Sequence, residues 1–153
     1  MVRLTDLDEP QRTNLRDLPC PDFDTQPWVT GPPLKDRRLA MISTAALQHR
    51  DDRVMLQGVG DYRAIADDAA AGDLVMAHVS TNFDRSGYEQ DLNVVLPLDR
   101  LHEMAEAGEI GSIGTYHYAF MGSTDPMHME ESARELAGHL KNDGVDSVLL
   151  LPV

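Results

Sequence analysis

Cysteine, aromatic residues and basic residues are all scarce in this chain of 153 residues. With a single cysteine the chain cannot form an internal disulfide, and Cys20 lies among acidic residues that disfavour a reactive thiolate. Aromatic residues make up only 5% of the chain. Any core must therefore be built mainly from Leu, Val, Ile, Met and Ala.

The shortage of basic residues excludes two classes of partner. Thirteen Lys and Arg residues stand against 26 Asp and Glu residues, which gives a formal net charge of −13. Because nucleic acids and anionic membranes are bound chiefly through Lys and Arg, neither is expected as a partner. The chain also lacks both the run of about 18 apolar residues that a membrane span requires and a secretion signal. A cytoplasmic location is the simplest expectation.

Proline is distributed unevenly along the chain. Six of the nine prolines fall within residues 1–36, a density that disfavours regular structure. We therefore predict an irregular Pro-rich arm over residues 1–36 and one domain over residues 37–153. Trp28 is expected to hold the arm against the domain through its large apolar surface.

Apolar runs and helical periodicities alternate along the domain. Pro97 and Asp125 open two helical patterns, which end at Gly108 and Gly144. Strands that alternate with helices predict an α/β fold with a mostly parallel open sheet and flanking helices, Rossmann-like or flavodoxin-like. Four apolar runs predict buried strands, and a shorter run predicts an extra one; they lie at residues 39–43, 73–78, 113–120 and 147–151, and at residues 62–65.

Residues far apart in the sequence are expected to meet at one edge of this sheet. Ligands of open parallel sheets bind at the carboxyl ends of the strands. The predicted strand ends carry Thr44 and the segments 78–84, 121–124 and 152–153. His78 directly follows the second strand, and we favour it as the functional histidine. An active edge is therefore predicted here.

The other histidines are assigned to structural or solvated positions. His117 falls within a strand and is predicted to be a hydrogen-bonded core residue, whereas His102 lies in a charged helical segment and is predicted to be solvated. His128 stands between two methionines, but three consecutive helical residues do not converge on one ion. No metal site is predicted.

Two polar segments each allow two interpretations. Residues 122–125 lead into a helix N-terminus, where they serve either as ordinary caps or, in addition, as a site for an anion such as a carboxylate. Residues 91–93 form either a polar turn or a site that orients His78 or binds a substrate amine.

The spacing of Gly108, Gly111 and Gly114 does not predict a dinucleotide site. These glycines lead from a helix into a strand, whereas a phosphate-binding loop leads from a strand into a helix.

Read in order, several segments of residues 35–153 resemble the selenoprotein subunit of D-proline reductase and of its glycine, sarcosine and betaine relatives. One of these matches is a His…Asp…Asp-x-Asn…Pro-x-Asp-Arg-Leu-His-Glu series. Each segment is short, and the collinear order makes the set specific. The matching segments are residues 35–36, 39–46, 60–65, 78, 84, 91–93, 96–103, 108–111, 120–122 and 143–148.

The resemblance implies a selenol- or thiol-dependent reductase, or a subunit of one, that cleaves a C–N bond next to a carboxylate. The family carries selenocysteine or cysteine just after the strand that residues 148–151 match. We therefore expect this redox residue directly after Val153, a domain truncated at its C-terminal end, and no activity from the chain alone. No cofactor is expected within these 153 residues. The site residues implied are His78, Asp91 and Asn93 as catalytic and Thr44, Asp84, Met121, Gly122 and Ser123 as substrate-binding.

The resemblance also bears on partners and on an alternative function. A small carboxylate-bearing substrate is expected, together with a partner reductase subunit or a thiol reductant. The segment 79–82 departs from the Gly-Gly that follows the histidine in the family, which bears on substrate fit.

The alternative function is that of a non-catalytic α/β domain, which binds a small acid or another subunit. An uncovered apolar strand would favour self-association into a homo-oligomer.

Overall fold

The structure, a computed structural model, describes residues 3–18, 21–22, 24–80 and 85–153. The strands are β1 (Arg38–Ser43), β2 (Leu47–His49), β3 (Tyr62–Ala66), β4 (Leu74–Met76), β5 (Ser112–Ile113), β6 (Tyr116–Phe120) and β7 (Ser147–Leu151). The α-helices are α1 (Glu9–Arg16), α2 (Ser86–Gln90), α3 (Leu98–Glu106) and α4 (Glu130–Asn142). Short 3-10 turns occupy Leu4–Asp6, Leu34–Asp36, Ala71–Asp73, Leu92–Val94 and Pro126–Met129.

The main sheet is built around β1. β7 pairs in parallel with β1 from Leu39 to Ser43, while β5 and β6 pair in parallel with its two ends. β3 adds to β6 in the antiparallel direction, so the sheet is mixed but mostly parallel. Ala40, Met41 and Ser43 of β1 are fully buried, as expected for the central strand of an α/β sheet. The predicted α/β class is confirmed at this level.

The predicted strand at residues 73–78 lies outside the main sheet, so its place in a parallel sheet was predicted wrongly. It forms β4, which pairs antiparallel with β2 in a separate two-stranded sheet. The reason lies just after β1, where Ala46 has a φ of 53° and turns the chain. Ala46 then receives a hydrogen bond from the Ala77 amide and donates one to Phe120 O, which brings β2 beside β4.

The predicted strand at residues 113–120 is divided into β5 and β6. Gly114 donates its amide to Leu39 O, but the Thr115 amide donates to Asp143 Oδ2 at 2.6 Å instead of to a strand. A side chain at Gly114 would lie 3.1 Å from both Asp143 and Val145. The close approach of the end of α4 therefore interrupts the strand at these two residues.

The two predicted helices of the domain are present and cover different parts of the sheet. Leu98 and Leu101 of α3 join the largest core cluster, which also contains Met41 and Ile65. α4 packs Leu136 on a second cluster that includes Tyr118 of β6. The cores are mainly aliphatic, and the buried aromatic residues of the described clusters, Tyr118 and Phe120, lie beneath α4. Along the described part of the chain, no helix is long and apolar enough to cross a membrane.

The N-terminal segment contains α1, and its attachment differs from the prediction. Trp28 is 90% exposed, so the expectation that it holds the segment against the domain is wrong. Polar contacts near β1 tie the last part of the segment to the domain. Arg37 Nε donates to Pro32 O at 2.7 Å, and Arg37 Nη1 donates to Ser147 Oγ at 3.0 Å.

Candidate functional site

The carboxyl ends of β1, β6 and β7 meet around Thr44. The Thr44 amide donates to Leu151 O at 3.0 Å, and the Gly122 amide donates to Thr44 O at 3.0 Å. Thr44 Oγ1 accepts from the Val153 amide at 2.8 Å. The parallel arrangement of the three strands thus brings together Thr44, Gly122 and the end of β7, as the sequence predicts.

Gly122 and Met121 make this edge tightly packed. A Cβ atom at Gly122 would lie 2.8 Å from Thr44 O, so the backbones of the two segments are in direct contact. The Met121 side chain is 1% exposed and packs with Ala46 and Met55. Met121 therefore stabilises the edge from within the core, and the groups facing outward come from its neighbours.

The turn that follows β6 is organised by capping. Thr124 Oγ1 accepts from the Gly58 amide at 3.1 Å, and Asp125 Oδ1 accepts from the Met127 amide at 2.9 Å. α4 itself begins several residues later and carries Glu130 and Glu131 in its first turn. Because these carboxylates already lie at the positive end of the helix dipole, the capping interpretation accounts for this turn. Ser123, half-buried, precedes the cap.

His78 is buried where the chain leaves β4. Its Nδ1 accepts a hydrogen bond from the Ser80 amide at 3.2 Å, and Arg85 donates to its main-chain oxygen. Burial, and then the positive charge of Arg85, lower the pKa of His78, so the neutral imidazole is favoured. Asp84, the predicted substrate-binding residue nearest to it in sequence, lies outside the described residues.

Asp91 and Asn93 form a hydrogen-bonded turn before α3. Asp91 Oδ1 accepts from the Asn93 amide at 2.9 Å and from its Nδ2 at 2.8 Å. Asn93 also bonds to Asp99, donating to Oδ2 at 2.8 Å and accepting from its amide at 3.1 Å. The hydrogen bonds from Asn93 lower the pKa of the Asp91 carboxyl. Residues 91–93 therefore form a hydrogen-bonded turn, and Asp91 and Asn93 also line a cavity.

This cavity has a volume of about 370 Å³ and lies beside the start of α3. His78 is not among the described residues that line it, so the predicted site residues divide between this cavity and the strand edge. Within the described ranges, no group of three or more His, Cys, Asp and Glu residues is arranged to hold a metal ion. The polar residues lining the cavity are Asp67, Asp68, Gln90, Asp91, Asn93, Asp99 and His102.

Sequence reasoning missed a pair of histidines that share Asp67. His117 is fully buried in β6, where Nδ1 accepts from the Met41 amide at 3.0 Å and Nε2 lies 3.1 Å from Asp67 Oδ1. His102 Nε2 lies 3.1 Å from the same oxygen. Burial lowers the pKa of His117, although Asp67 opposes this. The prediction of a hydrogen-bonded core histidine at His117 is confirmed, whereas no local signal marks Asp67.

Comparisons with known proteins agree on one group of relatives. The family model described as glycine/sarcosine/betaine reductase selenoprotein B matches residues 52–152. D-proline reductase subunit gamma of Acetoanaerobium sticklandii is 32% identical over 120 residues, which cover 76% of this chain and 49% of that protein. Glycine reductase complex component B subunit gamma of Carboxydothermus hydrogenoformans is 31% identical over 143 residues, 88% of this chain and 32% of that protein.

A third relative is named for a different substrate. Betaine reductase complex component B subunit beta of Peptoclostridium acidaminophilum is 27% identical over 143 residues, again 88% of this chain and 32% of the relative. The chain thus spans about half of the D-proline reductase subunit and about a third of the other two. No significant match was found among solved structures.

Proposed function

Since the chain belongs to the family of glycine/sarcosine/betaine reductase selenoprotein B, we propose that it forms part of a catalytic subunit in a reductase complex. The observation that carries the proposal is the family match over residues 52–152, which includes much of the strand edge and the cavity described above. The reaction we propose is the reductive cleavage of a C–N bond next to the carboxylate of a small amino acid or betaine. A dithiol reductant would supply the two electrons and two protons.

We place the redox group, a selenocysteine or cysteine, directly after Val153. The resemblance to the family supports this position, and hydrogen bonds between Thr44 and Val153 fix the point from which the next residue would extend. The Val153 amide donates to Thr44 Oγ1 at 2.8 Å, and the Thr44 hydroxyl donates to Val153 O at 3.3 Å. A selenol ionises more readily than a thiol and would supply a strong nucleophile at neutral pH.

The predicted site residues, which divide between the strand edge and the cavity, have distinct proposed roles. Thr44 and Gly122 hold the carboxyl ends of three strands together, and Ser123 and Asp84 are proposed to contact substrate. His78, whose neutral form is favoured, is proposed to accept or hold a proton. Asp91 and Asn93 keep their proposed role near the substrate amine.

The experiment that tests this function uses the full-length subunit, purified with the subunits that accompany it. Glycine, sarcosine, betaine and D-proline are each supplied with dithiothreitol, and the product is followed by NMR. We expect reduction of at least one substrate when selenocysteine or cysteine follows Val153, and loss of turnover when serine replaces it. A Cys20→Ser variant serves as the matched control and should retain full activity.

Binding without turnover would favour the alternative function. If a substrate binds to the complete subunit but the serine variant and the parent protein are equally inactive, the chain is better described as a small-acid-binding or subunit-interaction domain. Equal turnover by the two proteins would instead remove the redox group from the position after Val153.

A further inference from the structure

The side chain of His117 closes a gap in the main sheet. β1 pairs with β5 at residues 38–39 and with β6 at residues 42–43, so residues 40–41 lie opposite the interruption between β5 and β6. There the Met41 amide donates to His117 Nδ1 at 3.0 Å. Both residues are fully buried. The imidazole therefore supplies the acceptor that joins the middle of β1 to β6.

The hydrogen bond from Met41 can form only while His117 is neutral. A ring nitrogen that accepts a hydrogen bond carries no hydrogen, whereas a protonated imidazole carries hydrogen on both nitrogens. On protonation, Nδ1 would become a donor that faces the Met41 amide, which is also a donor. Because both groups are buried, water cannot supply a new acceptor, and leaving the two donors unpaired is costly.

Titratable groups from three parts of the chain act on this ring. Burial has the largest effect and lowers the pKa of His117. Asp67, in the loop after β3, raises this pKa through an oxygen 3.1 Å from Nε2, and Asp143 at the end of α4 raises it further. His102 of α3 lowers it. The Asp67 side chain is 26% exposed, so it connects the buried ring to solvent.

We propose that the hydrogen bond from Met41 to His117 is a pH switch, which breaks in mild acid and lets β6 separate from β1 while β7 stays paired with β1. β7 pairs with β1 along residues 39–43, so the β7 side does not depend on His117. At the carboxyl ends of β1 and β6, the Gly122 amide donates to Thr44 O at 3.0 Å, and separation of the strands would move these two residues apart. The switch is a property of the sheet, and only its effect on catalysis rests on the proposed function.

Amide hydrogen exchange distinguishes this local opening from a general loss of stability. The Met41 amide reports on the β6 side of β1, and the Thr44 amide, which donates to Leu151 O at 3.0 Å, reports on the β7 side. Exchange is followed by NMR above and below the midpoint of the His117 ring titration, and protection factors correct for the intrinsic dependence of exchange on pH. The protection of Met41 relative to Thr44 should fall about tenfold on protonation, which corresponds to the loss of one hydrogen bond.

Two substitutions should move the pH of opening in opposite directions. His102→Gln removes a positive charge beside Asp67, so opening should occur at a higher pH than in the parent protein. Asp67→Asn keeps an acceptor for the Nε2 hydrogen of His117 but removes the negative charge, so opening should require a lower pH. His139→Gln, which changes an exposed histidine of α4, is the matched control and should leave the pH of opening unchanged.

Three results would overturn the proposal. They are a ratio of Met41 to Thr44 protection that stays constant while the His117 ring titrates, unfolding of the whole chain before this ratio changes, and the same pH of opening in His102→Gln and Asp67→Asn. Because none of these measurements involves turnover, they leave the reductase proposal to be judged by its own assay.

Discussion

Single residues fix the geometry of this protein where two segments share one polar group. The Asp143 carboxylate accepts from the Thr115 amide at 2.6 Å, from Thr115 Oγ1 at 2.7 Å and from Arg38 Nη2 at 2.8 Å. Asp67 has the corresponding role for His102 and His117. Neither carboxylate is marked by a local sequence pattern, because each partner lies 28 or more residues away. Sequence reasoning therefore recognised His117 as a core residue but could not identify what it bonds to.

Asp143→Asn should lower the free energy of unfolding by about 2 kcal/mol, because hydrogen bonds to a charged group are lost at a partly buried position. Burial alone would raise the pKa of the Asp143 carboxyl, but hydrogen bonds from Arg38 and Thr115 bring it below its usual value of 3.8. This contribution is therefore complete above about pH 3.8 and is lost at lower pH. Urea unfolding at pH 7 measures the change.

The matched control for this substitution is Glu130→Gln. It removes an exposed ion pair with Arg134 on α4, in which the two side chains are 53% and 78% exposed. Such a pair contributes less than about 0.5 kcal/mol. Equal losses of stability in the two variants would show that the Asp143 contacts do not hold the start of β6.

The burial of His117 predicts that the folded protein becomes less stable in mild acid. Its pKa in the folded protein is below the usual 6.5 because it is buried. As pH falls below about 6.5, the unfolded chain binds a proton at this position before the folded protein does, so the free energy of unfolding decreases. The decrease ends once pH is below the folded pKa, and His78 contributes with the same sign.

Two measurements check this pH dependence. Urea unfolding between about pH 7.5 and pH 5.5 should show stability declining as pH falls, and an NMR titration should assign the His117 ring a pKa below the usual 6.5. A ring that titrates at or above its usual value would contradict the burial of His117, as would stability that stays constant across this range.

At the scale of whole elements, the sequence predicts best where an apolar run is long or clearly bounded. β7 spans the predicted residues 147–151, since Gly144 and Pro152 enclose a continuous apolar run. α3 lies close to its predicted ends, whereas α4 ends near the predicted Gly144 but begins at Glu130, after a 3-10 turn. The sequence prediction put β4 in the wrong sheet, because a strand of only three residues does not encode which strand it pairs with or in which direction. The Thr44 edge could be predicted because it follows from parallel strands alone.

Gly122 provides a test of that edge. A Cβ atom in Gly122→Ala would lie 2.8 Å from Thr44 O and 3.0 Å from Thr44 Cβ, so backbone would have to move. We expect a loss of about 2 kcal/mol in the free energy of unfolding, a usual cost of overpacking. Thermal and urea unfolding of the purified variant measure this loss.

Gly138→Ala is the control for Gly122→Ala. Gly138 lies within α4, and a Cβ atom added there would meet no neighbouring group within 4 Å. Alanine should therefore stabilise the helix by about 1 kcal/mol, the usual difference between glycine and alanine inside a helix. Opposite signs for the two substitutions are the predicted result. A gain in stability at both positions would mean that β1 and β6 do not approach each other as described.

At the scale of the whole molecule, β7 is a strand whose apolar side chains are exposed. Val148 and Leu149 are 40% and 39% exposed and Leu150 is 68% exposed, although parallel strands are normally covered on both faces. The glycine and betaine relatives are components of reductase complexes. The proposed place in a reductase complex predicts that this strand is covered when the complex forms.

Leu150→Lys should weaken assembly at this surface, because burying a charged side chain in an apolar contact is costly. We expect a lower mass by size-exclusion chromatography with light scattering when the purified complex is diluted. Val29→Lys, which changes an exposed residue of the N-terminal segment, should leave the mass unchanged. An unaltered mass in Leu150→Lys would exclude β7 from the assembly interface.

The measurement that tests the central claim most directly is mass spectrometry of the native protein after trypsin digestion. The informative peptide begins at Asn142, after Lys141, and contains β7 and Val153. We predict that it continues past Val153 with selenocysteine, recognised by the selenium isotope pattern, or with cysteine at the next position. A native peptide that has neither residue directly after Val153 would contradict the proposed redox site and favour a binding or interaction domain.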